Sequence, residues 1–441
     1  MQMNPIFKEY CQFLNDMTIN KEGVVELQLI KEGYFWLDNS IIKCFDKKGN
    51  AHKILRIEIS DDLKYIRLKK LKNGYSFLKD IELASWNDLV EMNLTYLRYI
   101  EADSVELIKD KMSKYNDYAP IIPISMGKDS IVTAHLVRSI NADIPAIFNN
   151  TTLDCSDTYK IAKTYPNCNI MTPKEGFYQY IERDNIIPTR FARFCCRMFK
   201  VGEMVNQLDR AQKYLFFMGM RNQESETRSD YEDEWVNKSE WGDTCWQGIL
   251  PIRKWTELDV WLYTFWKQLE INSKYKKGYS RVGCAIACPY YTKSTWVLDV
   301  YWYPSMRKRW DDILRKDFVN NSKWIIMNCT IDEYINSAWS GGVYRSEPTK
   351  EVIEEFAVHK ELDLKIAKQY FNKYCDNGCK NRAGKLVKIK DKEVLGMNMK
   401  LHGRETNKFL CKNCLMKLYG LNNEKWDDKV KEFTENGCKL F

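Results

Sequence analysis

Hydrophobic and polar positions alternate between residues 20 and 75 in four runs, VVELQLI, YFWLD, ILRIEIS and YIRLKKL, with DKKGN at 46–50 between the second and third. A period of two puts successive side chains on opposite faces, so residues 1–80 are expected to form a small β-rich domain with a turn at that glycine. From about Ser85 to Tyr115 the period becomes helical, with Leu89, Met92, Tyr96, Leu97 and Ile100 as apolar positions. Short apolar runs then alternate with helical patterns, at 121–124, 144–154, 169–173 and 214–220. That alternation predicts an α/β fold with a doubly wound parallel sheet over residues 81–290, whose ligand sits beyond the carboxyl ends of the strands. Ser125, Asn150 and Arg221 fall at such ends. Residues 291–370 read as a helical extension, and residues 371–441 as short strands with cysteine turns.

Composition changes this picture in three places. The chain of 441 residues has 44% hydrophobic and 29% charged residues, without an apolar run of the roughly 20 residues that a membrane span needs. MQMNPIFKEYCQF lacks a basic region followed by an apolar core, so a cytoplasmic protein without a membrane partner is expected. The 15 cysteines are odd in number and many lie in close pairs, which in a reducing compartment points to metal ligation rather than a disulfide framework. The net charge of +8 is modest, but the stretch 380–412 is rich in Lys and Arg and suits a nucleic-acid backbone.

The chemistry concentrates at Ser125-Met126-Gly127-Lys128-Asp129-Ser130, between a strand and a helix. The spacing is not that of the usual P-loop. A tight turn centred on Gly127 would converge backbone N–H groups on an anion, and the following helix adds its positive end. Ser125 and Ser130 offer hydroxyls and Lys128 a charge, and Asp129 offers either a helix cap or a link to Mg²⁺. An ordinary capped strand-to-helix turn is the plainer alternative. His135, on that helix, reads as a packing or hydrogen-bonding residue, TELD at 256–259 as a helix start capped by Thr256, and Trp255, Trp261, Trp296 and Trp302 as core contacts.

Six segments in order, SMGKDS, FNNTTLDCSDTY, FCCRMFK, GMRNQESETRS, PIRKWTELDVWLY and RVGCAIACP, resemble the ATP pyrophosphatase (PP-loop) proteins and, within them, the phosphoadenosine phosphosulfate (PAPS) reductase superfamily. The resemblance covers about residues 118–290, and its nearest branch is the DNA phosphorothioation sulfurtransferases of the Dnd system. It implies an adenine nucleotide alpha hydrolase-like fold that binds ATP through Ser125, Gly127, Lys128, Asp129, Ser130, Asn150, Thr151, Arg221 and Glu224. Lys128, Asp129, Arg221 and Arg228 would serve the chemistry, with Glu224 orienting the arginines. Read by spacing alone, Glu224 and Arg228 are an i,i+4 surface ion pair.

The resemblance also implies a [4Fe-4S] cluster on Cys195, Cys196, Cys284 and Cys288, although three residues rather than two separate the last pair; buried inert thiols are the alternative. Cys375, Cys379, Cys411 and Cys414 resemble a zinc ribbon, in which Zn²⁺ replaces the core of a small module. Cys438 is a candidate replacement ligand, metal-free thiol or nucleophile, and Cys155 is a thiol near the nucleotide segment or a structural residue. The function implied is an ATP-dependent sulfurtransferase, which splits ATP to AMP and pyrophosphate and takes sulfur from a cysteine desulfurase or other donor to modify nucleic acid. Two rivals stand beside it: a reductase releasing sulfite from adenylylsulfate or its 3′-phosphate, and a nucleotide-sensing regulator that binds nucleic acid.

Overall fold

In the computed structural model the alternating N-terminal segment folds into five antiparallel strands that neighbour one another in sequence order: β1 Met3–Pro5, β2 Phe35–Asp38, β3 Ile41–Phe45, β4 Ala51–Ile59 and β5 Ile66–Lys70. Residues 3–19, 29–61, 63–71, 78, 81–224, 226–284, 286–321, 323–341, 345, 347–371, 374–380, 384, 387, 389, 392–403 and 408–436 are described. Most of VVELQLI, parts of the basic stretch 380–412, and Cys438 lie outside them. The turn DKKGN joins β3 to β4, with Asp46 accepting the N–H groups of Lys48 and Asn50 and Gly49 at φ +85°. Alternation works as expected: Ile42, Cys44, Leu55 and Ile57 point inward, onto Tyr10, Phe13 and Leu14 of the helix Lys8–Met17.

The expected helical region is two helices, Trp86–Met92 and Leu94–Lys114, separated at Asn93. The break resets the inward face, so Leu89, Leu97 and Ile100 are buried whereas Met92 and Tyr96 are exposed.

The second sheet has six strands, β6 Ala119–Pro123, β7 Ala146–Asn149, β8 Cys168–Met171, β9 Tyr214–Phe217, β10 Glu234–Trp235 and β11 Gln247–Ile249, in the order β10-β11-β9-β6-β7-β8. All neighbours are parallel except β10, which runs antiparallel to β11 at the edge. The sheet is therefore mixed rather than purely parallel. Glu234 on this short edge strand is held by Lys111 (2.8 Å), Lys114 (2.7 Å) and the Tyr115 hydroxyl (2.6 Å). Strand order reverses between β6 and β9, and such a switch point opens a crevice at the strand ends.

The helix Glu257–Trp266 begins in a capping box between Thr256 and Asp259, and buries Val260, Trp261, Leu262 and Tyr263. Trp36 of β2 is fully buried and meets Phe265 of that helix at 6.2 Å and Trp86 at 6.0 Å between ring centroids, while Trp86 stacks on Phe265 at 4.8 Å. Both sheets thus share one aromatic joint.

Two units emerge: residues Met1–Gln179, Cys195–Ile286 and Tyr291–Pro304 form the first, and residues Tyr180–Phe194, Ala287–Tyr290 and Ser305–Phe441 the second. In the second unit the helices Lys323–Met327, Ile331–Asn336 and Lys350–His359 surround Phe318, Trp324, Tyr334 and Phe356. Its C-terminal part departs from expectation. Between and after the cysteine pairs lie the helices Lys392–Leu401, Lys412–Tyr419 and Asn423–Glu435 rather than a ribbon of strands. Val394 and Met397, three apart on the first of these helices, close a small core around Cys375 with Leu415 and Trp426 of the two others.

Trp36→Ala should cost about 3–5 kcal/mol of stability, as removal of a fully buried large aromatic does. Urea unfolding followed by tryptophan fluorescence would show it as a lower midpoint.

Candidate functional site: an anion cradle at the switch point

The loop after β6 gathers its N–H groups by an unexpected route. Met126, not Gly127, adopts the left-handed backbone, at φ +57°, and its side chain is buried in the main core. Left-handed backbone costs a non-glycine residue about 1–2 kcal/mol, which burial of the methionine offsets. Gly127 is extended (φ −89°, ψ 157°), and the glycine is needed for space: a Cβ there would lie 3.2 Å from the Tyr275 hydroxyl and 3.3 Å from Ser125 Oγ. Ser130 closes the loop, its Oγ donating to Gly127 O (2.9 Å) and accepting from Ser125 N (3.2 Å).

The helix Lys128–Arg138 starts here without a side-chain cap. Lys128 N–H donates to the Tyr275 hydroxyl (3.2 Å), and the N–H groups that follow, with the helix dipole, suit an anion. A cavity of about 460 Å³ opens in front of it, lined by the loop, by Thr151 and Asp154 after β7, and by Arg221, Glu224 and Arg228 after β9. The loops after β6 and β9 touch: a Cβ on Gly219 would lie 2.6 Å from Asp129 O and 2.9 Å from Ser130 N.

The charges are arranged in a buried network. Lys128 Nζ lies 3.0 Å from Asp129 Oδ2 and 3.1 Å from Glu257 Oε1, and Arg221 Nε donates to Asp129 Oδ1. Asp129 thus neither caps the helix nor stands open; both its oxygens hold cations. Burial alone would lower the Lys128 pKa, but Tyr275, Asp129 and Glu257 overcome it and raise the pKa, so the ammonium persists. Burial alone would raise the Asp129 pKa, but Lys128 and Arg221 reverse that and hold it below the usual carboxylate range. Glu224 accepts from Arg221 N (3.3 Å) and pairs with Arg228, so the i,i+4 pair exists and also lines the cavity. Of the cavity's carboxylates, Asp129, Glu224 and Glu257 are engaged by cations, whereas Asp154 accepts from Thr151 N (3.2 Å) and Oγ1 (2.7 Å) and is the one a Mg²⁺ entering with phosphates would meet without displacing a cation.

Several expected residues change places with neighbours. Asn150 is spent in its turn, accepting from Thr152 N (3.0 Å) and donating to Thr172 Oγ1 (3.2 Å); Asn149 lines the cavity instead. The Asn149 Nδ2 donates to Lys200 O (2.7 Å), but its buried Oδ1 has no partner among the described residues. Glu257 and Tyr275 belong to the site and were not expected there. Glu257 shares the first turn of its helix with Asp259, and the residue pattern does not set it apart. Cys155 is fully buried and burial raises its thiol pKa, which fits a structural residue. His135 Nδ1 lies 3.0 Å from the Tyr263 hydroxyl, a packing and hydrogen-bonding role.

Of the first cysteine set, Cys196 opens a wide π-type helical segment, Cys196–Gly202, directly after Cys195; Cys284 lines the cavity, as does Lys200 of that segment; Cys288 belongs to the second unit. The second set is gathered. The Sγ atoms of Cys375, Cys379, Cys411 and Cys414 all lie within 4.8 Å of one another, the one such group of metal-capable side chains among the described residues. A tetrahedral ion with metal–sulfur bonds of about 2.3 Å holds its sulfurs about 3.8 Å apart, so the group can hold one metal ion. Burial opposes ionisation of Cys375, yet the N–H groups of Cys411 and Asn377 draw it down to about 7, while hydrogen bonding to Cys414, Cys375 and Cys411 pushes Cys379 up to about 12. Without a cation the four thiols compete for charge.

The phosphoadenosine phosphosulfate reductase domain family matches residues 119–289, the span of the cradle and its sheet. The chain carries a PAPS-reductase-like domain. An uncharacterized protein of Methanocaldococcus jannaschii is 27% identical over 276 residues, 61% of this chain and 62% of that one. The chain thus spans about three-fifths of that relative's length. The adenosine 5′-phosphosulfate reductase of Halalkalibacterium halodurans is 28% identical over 193 residues, 41% of this chain and 79% of that one. The crystal structure of PAPS reductase from Candida auris, a phosphate complex, aligns with a TM-score of 0.33 and 15% identity over 43% of this chain and 93% of that one. None of these likenesses singles out the DNA phosphorothioation branch. No helix among the described residues is long and apolar enough to cross a membrane.

Two outcomes are expected. Gly219→Ala drives a methyl group into backbone that cannot yield, and should weaken AMP and pyrophosphate binding by about tenfold or more at a stability cost of about 1–3 kcal/mol, read by calorimetry and thermal unfolding. Elemental analysis should find one metal ion per chain at the gathered thiols, lost in the double variant Cys375→Ser, Cys411→Ser.

Proposed function

We propose that residues 119–289 act on an adenosine 5′-phosphate whose α-phosphate carries a second acidic group, and that the favoured reaction is reduction of adenylylsulfate or its 3′-phosphate form. The observation that carries this is the uncapped start of the helix Lys128–Arg138, facing a cavity into which Lys128, Arg221 and Arg228 converge. Fixed N–H groups and cations suit the charge that develops on a departing α-phosphate. The relatives named as adenosine 5′-phosphosulfate reductases support the phosphosulfate anhydride as substrate. A thiolate attacks the sulfate sulfur, its S–S bond forming as the S–O bond to AMP breaks; a second thiol then displaces sulfite and leaves a disulfide. Cys438 is the candidate for the attacking thiol, and an external dithiol supplies the second. The partnerless Asn149 Oδ1 supports an adenine ring, whose exocyclic amine would donate to it.

A second reading rests on the loop itself. Ser125, Gly127, Lys128, Asp129 and Ser130 keep every element that a triphosphate would use, which favours cleavage of ATP to AMP and pyrophosphate for sulfur transfer. In that reading Mg²⁺ enters with the nucleotide, a cysteine desulfurase or similar donor supplies sulfur, and the Lys- and Arg-rich stretch 380–412 meets a nucleic-acid acceptor. For either reading we assign a [4Fe-4S] cluster to Cys195, Cys196, Cys284 and Cys288 and Zn²⁺ to the gathered thiols, soft sulfur suiting both metals.

One assay separates the readings. Anaerobic protein given adenylylsulfate and a dithiol should release sulfite and AMP in equal amounts; the same protein given ATP labelled in its β-phosphate should release no labelled pyrophosphate. Labelled pyrophosphate without sulfite would establish the ATP-splitting reading instead. Tight nucleotide binding with neither product would leave a sensor and overturn both.

A further inference from the structure

We infer that the first strand of the N-terminal sheet is a working part of the phosphate site: through Glu257 it positions the Lys128 ammonium. This rests on the reading of the cradle as a phosphate site.

The chain of contacts is short. Met3 of β1 donates its backbone N–H to Glu257 Oε2 (3.0 Å), and the other carboxylate oxygen, Oε1, holds Lys128 Nζ (3.1 Å). Both side chains are buried, with relative exposures of 5% for Lys128 and 7% for Glu257. Glu257 stands at the first turn of its helix, where a carboxylate also meets the helix dipole, and its own N–H donates to Gln223 Oε1 (3.0 Å) in the segment after β9. A rotation of the carboxylate would strand the Met3 donor, the Lys128 cation, or both, so one orientation is strongly preferred.

A second contact points the same way. Gly278, at φ +94°, faces Tyr10 of the helix that follows β1, and a Cβ there would lie 2.1 Å from the tyrosine ring. The turn that Tyr10 covers also carries Tyr275, whose hydroxyl accepts from Lys128 N (3.2 Å). The N-terminal segment therefore braces Lys128 at its side-chain end through Glu257 and at its backbone through Tyr275. Glu257 is a positioning residue, since it reaches the ligand through Lys128.

The test uses the full chain, with inorganic pyrophosphate and AMP as separate probes in titration calorimetry. Glu257→Gln should weaken pyrophosphate about tenfold while AMP affinity changes less than about twofold. The sign is diagnostic. A glutamate that merely neutralised Lys128 would, on removal of its charge, let pyrophosphate bind more tightly. Met3→Pro removes the donor without altering charge and should give the same selective loss; pyrophosphate binding unchanged in a folded Met3→Pro variant would overturn the role of the strand. Should Met3→Pro lower the unfolding midpoint, Glu257→Asp carries the test, because it keeps the charge but shortens the reach. Unchanged or tighter pyrophosphate binding in both Glu257 variants would overturn the inference and leave the functional reading intact. A parent protein that binds neither probe would remove both.

Discussion

Two cations and two carboxylates, Lys128 and Arg221 with Asp129 and Glu257, are confined together at the start of one helix, and the site depends on their mutual balance. A lone buried charge is costly, and removing one member of such a pair strands the other. The four groups are therefore tolerable only as a set. That requirement links segments far apart in the chain: the loop after β6, the segment after β9 and the helix from Glu257 must all be in place at once. A phosphate arriving here meets cations that the two carboxylates already hold in place, so it need not organise them.

Much of this was visible in the residue pattern. The apolar runs at 121–124, 144–154, 169–173 and 214–220 each supplied a strand of the central sheet, and Arg221, Glu224 and Arg228 converge with the loop as the motif order implied. What escaped has definite physical causes. Asn149 rather than Asn150 lines the cavity because alternation at a strand end turns on a single residue. The turn is expected to centre on Gly127, but Met126 takes the left-handed conformation and the Gly127 Cα packs near the Tyr275 hydroxyl. Glu257 passed for an ordinary first-turn acid, because its partners Met3 and Lys128 meet it only in the folded chain.

The C-terminal module shows the opposite failure. Its four thiols were found from spacing, yet the chain around them is helical. Cysteine pairs fix where an ion sits and leave the intervening backbone open. There Val394, Met397, Leu415 and Trp426, drawn from three helices, form the core in place of strands. Cys375 is itself buried within that apolar cluster, so an ion held by the four thiols would brace the core as well.

The antiparallel strand β10 is two residues long and carries Glu234, clamped by two lysines and a tyrosine. An unprotected sheet margin invites strand addition from another chain. Here the margin beyond β11 ends in a stub whose charge is already spoken for, too brief to template a long ladder. Assembly into larger species by continuing the sheet on that side is thereby discouraged, and the same stub guards a folding chain against sticking to its copies.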